Sequence, residues 1–260
     1  MYETINYETP ENGIGILTLN RPRLYNTINE RMTEELTDFW RGRLFDLDTK
    51  VIVLKGNGQK GFCAGLDLKE TAEITKNMTI PQFYGRLQMR IARLTLAMRQ
   101  APQPIICAVH GAAAGGGFSF ALASDIRIIS PDARFNAAYV NIGVGGADVG
   151  SSYFLPRMIG CGRAYEFLYT GEFMSAQEAM SLGFVSKIVE REALMDTAME
   201  YARKLMTKNP MALRLTKEAI NTNIDCGGLE SALQMEDRNQ SLLAVGVFID
   251  APKVDKRPTI

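Results

Sequence analysis

A glycine-rich turn within residues 107–125, CAVHGAAAGGGFSFALASD, constrains the fold of this chain more than any other stretch. A short apolar run leads into three consecutive glycines, Gly115, Gly116 and Gly117, and a segment of helical composition follows. Because glycine has no Cβ, the main chain can turn sharply there and a ligand can approach bare N–H groups. The first N–H groups of a helix lack intrahelical acceptors and favour negative charge. The turn therefore indicates either an anion site or close packing of a strand against a helix.

Apolar periodicity before this turn predicts alternating strands and helices. Residues 4–8 and 14–19 read as two strands separated by a Pro-Glu-Asn-Gly turn, which is typical of a hairpin. Helical spacing of apolar residues predicts amphipathic helices over 29–48 and 80–101. Continuous apolar runs of the kind found in covered parallel sheets predict three buried strands, over 51–54, 105–109 and 125–130.

The pattern becomes mostly helical in the C-terminal part of the chain. One further strand is expected over 184–189, and helical periodicity occurs over four segments, 176–182, 192–206, 211–223 and 229–245. No linker or low-complexity segment interrupts the chain. We therefore expect an α/β core of repeated ββα turns over residues 1–195, followed by a helical C-terminal extension over residues 196–260.

Charge and hydropathy argue against several classes of protein. Equal numbers of basic and acidic residues give a formal net charge of zero, whereas nucleic-acid and anionic-membrane binders usually carry a basic excess. No apolar run approaches the roughly 18 residues needed to span a bilayer. The polar first residues resemble neither a secretory signal nor a transit peptide. We therefore expect a cytoplasmic protein with no nucleic-acid or membrane partner.

Metal and dinucleotide sites are not expected either. The four cysteines are far apart and form no CxxC pair, and the single histidine, His110, is expected to have a structural role just before the glycine turn. Residues 56–61 formally match GxGxxG, but that fingerprint requires a helix to begin inside the glycines, and another loop follows here. The chain is therefore expected to bind neither a metal ion nor a separate cofactor.

Two glycine-containing stretches after two different strands carry a family resemblance. FCAGLD at residues 62–67 and GAAAGGG at residues 111–117 resemble the AGxD and GxxxGGG motifs of the crotonase (enoyl-CoA hydratase/isomerase) superfamily. Further runs extend the resemblance, in order, over essentially the whole chain: SDIRI at 124–128, LPRMIG at 155–160, LYTG at 168–171 and DKRP at 255–258. The resemblance implies a crotonase-like spiral of ββα units whose C-terminal helical region forms homotrimers or dimers of trimers.

The resemblance also implies an acyl-CoA thioester substrate and assigns roles to individual residues. The backbone N–H groups of Leu66 and Gly116 would form an oxyanion hole for the thioester oxygen. The loop that contains Arg23 and Leu24 would hold coenzyme A, together with Lys256 from the C-terminal region of a neighbouring subunit. Coenzyme A is then part of the substrate and not a cofactor.

The chain departs from the family pattern at the two hydratase carboxylates. Hydratases carry glutamates at the positions of Ser119 and Tyr139, and neither residue ionises near neutrality as a carboxylate does. Both are expected to line the substrate pocket with Ala64 and Asp67. Tyr139 would either bond the substrate or complete an aromatic wall, and Asp67 is more typical of a loop anchor than of a catalyst.

Asp148, in the string ADVG at residues 147–150, is the candidate catalytic residue. This string resembles the segment in which dienoyl-CoA isomerases of the superfamily carry a catalytic aspartate, in a loop one residue longer here. An apolar, glycine-lined pocket disfavours the charged carboxylate and so favours proton exchange. The alternative is that Asp148 caps a helix that begins near Ser151.

These residues favour an enoyl- or dienoyl-CoA isomerase in which Asp148 moves a single proton while the oxyanion hole holds the enolate. A hydratase-like activity is an alternative. Residues 112–169 also resemble 4-chlorobenzoyl-CoA dehalogenase, although residues 80–101 offer no histidine as its base. A further alternative from a different class is a non-catalytic module that binds acyl-CoA or nucleic acid.

Overall fold

A mostly parallel sheet runs through the first of the two units into which the chain divides. The computed structural model describes residues 2–246; the first unit ends at Thr207 and the second begins at Lys208. In chain order the strands are β1 (Ile5–Glu11), β2 (Ile14–Leu19), β3 (Val51–Gly56), β4 (Ile105–Val109), β5 (Ala112–Ala114), β6 (Ile126–Ile129), β7 (Arg134–Asn136), β8 (Met174–Ser175) and β9 (Lys187–Ile188).

Two sheets are formed from these strands. The larger has six strands in the spatial order β1-β2-β3-β4-β6-β9, and the smaller has the order β5-β7-β8. β1 and β2 pair antiparallel, which confirms the expected hairpin, and the other neighbours in the larger sheet are parallel. The carboxyl ends of β3 and β4 therefore lie side by side, and the glycine-containing loops that follow both strands leave the sheet at the same edge.

Helices surround the sheets. In the first unit they are α1 (Glu30–Arg43), α2 (Leu68–Thr75), α3 (Ile80–Phe83), α4 (Met89–Gln100), α5 (Gly116–Ala123), α6 (Ser151–Ile159), α7 (Cys161–Thr170), α8 (Ala176–Ser181) and α9 (Leu194–Met206). The segment expected as one helix over 80–101 contains a π-helical turn, Tyr84–Gln88, between α3 and α4. Because a π turn changes the phase of the helix, Leu87 and Ile91 are buried, whereas Phe83, four residues before Leu87, is exposed.

The inner strands β2, β3 and β4 of the larger sheet are buried on both sides because both sides are covered. Ile52 and Leu54 of β3 face the main core, while Val51 and Val53 belong to a second cluster on the opposite side that includes residues of α9. The burial of Ala198 within that cluster ties α9 to the sheet. The first unit therefore extends to residue 207, beyond the boundary between residues 195 and 196 that the sequence suggested.

The second unit contains two helices that pack against each other, α10 (Pro210–Asn223) and α11 (Leu229–Ala244). Asn209 caps α10, because its side chain accepts hydrogen bonds from the N–H groups of Met211 and Ala212. The α/β class with a helical C-terminal region agrees with the expectation from the sequence. Within residues 2–246, no helix combines the length and the hydrophobicity needed to cross a bilayer.

Candidate active site

The two glycine-containing loops are joined by backbone pairing beyond the ends of β3 and β4. Gly61 bridges Gly111, and Cys63 bridges Ala113. The N–H group of Ala114 donates to the Cys63 carbonyl at 2.9 Å. A Cβ on Gly117 would lie 2.2 Å from that same carbonyl oxygen, so a larger residue would force the loops apart. The sequence predicted two separate glycine-containing loops, and the structure packs them into one surface.

Leu66 and Gly116 lie on this joint surface. Gly65 has a φ of +89°, which glycine adopts readily, and a Cβ there would lie 3.3 Å from the Gly116 nitrogen. The N–H group of Gly115 donates to the Asn136 carbonyl, which fixes the start of α5. Among the described residues, nothing accepts a hydrogen bond from the N–H group of Leu66 or Gly116. Two unsatisfied donors therefore lie close together where an anion can bind them.

The loop that the sequence assigned to coenzyme A is tied to the first glycine-containing loop. Ala64 donates its N–H group to the Tyr25 carbonyl at 3.0 Å. Asn26 is fully buried, and its side-chain amide lies within hydrogen-bond distance of the carbonyl groups of residues 57, 61 and 62. Arg23 and Leu24 project from this anchored loop into solvent. Lys256 lies outside the described residues.

Asp67 anchors the same region. Its carboxylate forms an ion pair with Arg21 at 3.0 Å and accepts a hydrogen bond from the Glu70 N–H group at the start of α2. Although burial acts in the opposite direction, these hydrogen bonds from Glu70 and Arg21 hold the pKa of Asp67 below its ordinary value. Asp67 therefore stays ionised and joins the loop that contains Arg23 and Leu24 to α2.

Ser119 and Tyr139 form a neutral hydrogen-bonded pair. Ser119 is fully buried on α5, and its hydroxyl lies 2.8 Å from the Tyr139 hydroxyl. Burial raises the pKa of Tyr139 above its ordinary value, so the phenol stays protonated. The Tyr139 ring reaches the turn as well, since a Cβ on Gly115 would lie 3.5 Å from a ring carbon. The pair therefore lies beside the two backbone donors and carries no charge.

Asp148 is held from outside its own loop. Its Oδ1 atom accepts hydrogen bonds from Gln88 Nε2 at 2.6 Å and from the Val149 N–H group at 2.7 Å. Gly150 occupies the N-cap position of α6, and no side chain caps that helix. The Asp148 backbone meets Ser151 through its N–H and carbonyl groups, but the carboxylate does not cap the helix. The capping alternative does not describe this side chain.

An apolar cluster brings the loop that contains Asp148 to the loop that contains Leu66. Val149 is buried against Leu87 and Ile91, and Leu66 and Tyr139 pack against the same cluster. Val149 has a φ of +46°, a left-handed conformation that β-branched residues rarely adopt. Such strain persists only where the surrounding packing imposes it. The cluster thus holds the residue after Asp148 next to the residue that offers the first backbone donor.

Similarity to known proteins agrees with this geometry. The model of the enoyl-CoA hydratase/isomerase family matches residues 9–244. The chain belongs to this family. Family members act on acyl-CoA thioesters, and the wider group is the crotonase superfamily.

The chain is similar to family members that are named for different activities. It is 34% identical to a probable enoyl-CoA hydratase of Mycobacterium leprae over 98% of this chain and 88% of the relative. It is 36% identical to 1,2-epoxyphenylacetyl-CoA isomerase of Escherichia coli over 89% of this chain and 87% of the relative. The crystal structure of a putative enoyl-CoA hydratase from Streptomyces coelicolor has 30% identity and a TM-score of 0.90, over 95% and 88% of the two chains.

Within this crotonase fold, the structure brings together five of the residues singled out from the sequence: Leu66, Gly116, Ser119, Tyr139 and Asp148. Ala64 and Asp67 belong to the same loop as Leu66. Gln88 was missed, because helical periodicity over 80–101 selects only the apolar face. Its contact with Asp148 joins positions far apart in the chain, and no local pattern indicates it.

Proposed function

We propose that this crotonase-family protein is an enoyl- or dienoyl-CoA isomerase with Asp148 as its single acid/base. The Asp148 carboxylate takes a proton from the carbon next to the conjugated system of the thioester. The electrons move toward the thioester oxygen, and the N–H groups of Leu66 and Gly116 stabilise the resulting enolate. The protonated Asp148 then returns the proton to another carbon, so that the double bond shifts and no atom is gained or lost.

The observation that carries this proposal is the placement of one carboxylate beside a neutral pair. Asp148 directly precedes Val149, whose apolar cluster also includes Leu66 and Tyr139. In the hydratases that the sequence resembles, two glutamates position water where Ser119 and Tyr139 stand here. A serine and a protonated tyrosine bonded to each other at 2.8 Å do not provide that acid and base. One carboxylate suffices for a proton shift, and this favours isomerisation over hydration.

The same proposal includes how the substrate is held. Arg23 is an exposed cation on the anchored loop and would bind a phosphate of coenzyme A, with Leu24 beside it. Lys256 of a neighbouring subunit would add a second cation, which requires the trimer, or dimer of trimers, expected from the family resemblance. The chemistry needs no further cofactor, because the thioester itself acidifies the proton that moves.

Proton exchange in D₂O tests the proposal directly. The protein is incubated with 3-enoyl-CoA and dienoyl-CoA thioesters, and mass spectrometry follows deuterium uptake and the position of the double bond. We expect uptake by the wild type and a loss of about 10²–10⁴-fold in Asp148→Asn, the range typical of a removed general acid/base. Asp48→Asn, which changes an exposed aspartate away from the site, serves as the matched control.

Other outcomes of this assay identify other functions. Undiminished exchange in Asp148→Asn would show that another group moves the proton. Addition of a water mass to the enoyl thioester would indicate a hydratase, as several relatives are named. Halide release from a 4-halobenzoyl-CoA would indicate a dehalogenase, and tight thioester binding without exchange would indicate a binding module.

A further inference from the structure

Gln88 is the last residue of the π-helical turn and makes a polar contact with the acidic loop. Its Nε2 atom lies 2.6 Å from Asp148 Oδ1. Leu87 and Ile91, on either side of it along the helix, are buried against Val149. The amide therefore extends from a helix surface that is already packed against the loop it contacts.

The two oxygens of Asp148 have different surroundings. Oδ1 accepts two hydrogen bonds, from Gln88 Nε2 and from the Val149 N–H group. Within residues 2–246, no group donates a hydrogen bond to Oδ2. Hydrogen-bond donors withdraw electron density and occupy lone pairs. An oxygen that accepts two hydrogen bonds is therefore a poorer proton acceptor than one that accepts none. Oδ2 is thus the better proton acceptor of the two oxygens.

We infer that Gln88 is a positioning residue that holds Asp148 by Oδ1 and directs proton transfer to Oδ2. This inference rests on the proposed function of Asp148. An amide suits the role, because it donates a hydrogen bond to the carboxylate without titrating and without competing for the substrate proton.

The π turn gives this arrangement its geometry. π turns are rare, and they are found frequently at functional sites. Here the turn ends at Gln88, immediately before α4 begins at Met89. Among the described residues, Tyr139 is a titratable group whose pKa responds to the Asp148 charge, and burial keeps Tyr139 protonated. The Gln88 amide is therefore the main side-chain donor to the carboxylate.

Replacement of Gln88 by methionine tests the role, because methionine has similar length and no donor. We expect the acid limb of the pH profile of kcat/KM to move upward by about one pH unit, since the ionised carboxylate loses a stabilising hydrogen bond. Gln88→Glu differs from the wild type by a single group and places a second carboxylate beside the first, so the limb should move further upward. Gln100→Met, an exposed position at the end of α4, is the matched control and should leave the profile in place.

A measurement that does not depend on turnover separates this inference from the proposed function. The ¹³C signal of the Asp148 carboxyl group, assigned by its absence in Asp148→Asn, is followed against pH in each variant. We expect its transition to move upward in Gln88→Met and Gln88→Glu, with the fold checked by circular dichroism. An unmoved transition in both variants would overturn the inference even if Asp148→Asn is inactive. A moved transition with full activity in Asp148→Asn would uphold the hydrogen bond and overturn the catalytic role of both residues.

Discussion

The two halves of the site are held in different ways. The oxyanion half of the proposed site consists of residues 61–67 and 111–117, which are joined by backbone bridges. The proton-transfer half, residues 138–150, is mostly exposed from 141 to 145 and is attached through side chains such as Asn141, Gln88 and Val149. The first half is held together by backbone pairing, and the second is attached to the rest of the unit mainly by a few side chains.

This difference separates what the family shares from what distinguishes its members. Any thioester enolate needs two donors near its oxygen, and backbone N–H groups supply them whatever the neighbouring side chains are. The position and number of carboxylates decide whether a proton is shifted or water is added. A chain can therefore keep the first half and change its reaction by substitutions outside it, and in our proposal Ser119, Tyr139 and Asp148 are such positions.

The largest effect is expected from a methyl group in the oxyanion half. In Gly65→Ala the new Cβ would lie 2.8 Å from the Ala114 carbonyl oxygen, in a backbone conformation with φ +89° that alanine resists. We expect deuterium exchange to fall by about 10²–10³-fold, as when one oxyanion donor is lost. Gly145→Ala, in the proton-transfer half, meets nothing within 4 Å and should retain activity. Equal losses in the two variants would contradict the contrast between the halves.

A smaller effect should appear in the pH dependence of stability. Burial raises the pKa of Cys63 and of Cys107 to about 12. Below the unfolded-state pKa near 9, each thiol is protonated in both states and its contribution to the free energy of unfolding is complete. As the pH rises from 9 toward 12, the thiol ionises in the unfolded state but not in the folded state, and this contribution is lost. At pH 10 each buried thiol should lower the free energy of unfolding by about 1 kcal/mol. Denaturant unfolding at pH 8 and 10 would show a weaker loss in Cys107→Ala, but an unchanged loss in Cys161→Ala, where the thiol is exposed.

The smallest effect is expected at the neutral pair in the site. Tyr139→Phe keeps the ring but removes the hydroxyl that bonds Ser119. Because Asp148 moves the proton in our proposal, deuterium exchange should fall less than about ten-fold, well short of the loss of a general acid/base. Ser119→Ala removes the same hydrogen bond, so the double variant should lose little more than either single variant. A loss of 10²-fold or more in Tyr139→Phe would move the acid/base role from Asp148 to Tyr139.

The sequence predicted the oxyanion half better than the proton-transfer half, and the reason is physical. A glycine run after a buried strand is a local signal, because only glycine permits a close approach such as that of Gly65 to Gly116. The side-chain contacts of Asp148 join segments far apart in the chain. Periodicity marks the apolar face of the helix over 80–101, but it neither indicates the π turn nor selects Gln88.

In the fold as well, local features could be predicted from the sequence and long-range contacts could not. Continuous apolar runs predicted the parallel strands, because strands covered on both faces need no polar residues. The end of the first unit was less predictable, since helical periodicity alone does not reveal that α9 packs on the sheet through Ala198. Whether a helix covers a sheet or stands apart depends on tertiary contacts that the local sequence does not encode.

The bridges from Gly61 to Gly111 and from Cys63 to Ala113 also have a consequence for folding. They connect segments separated by α2, by the helical stretch from α3 to α4 and by β4, and they extend the pairing of β3 with β4. Contacts between distant parts of a chain form slowly, because the intervening segment must first lose its freedom. The N–H groups of Leu66 and Gly116 therefore come together only when β3 and β4 have paired, so their geometry depends on the same long-range contacts that hold the sheet.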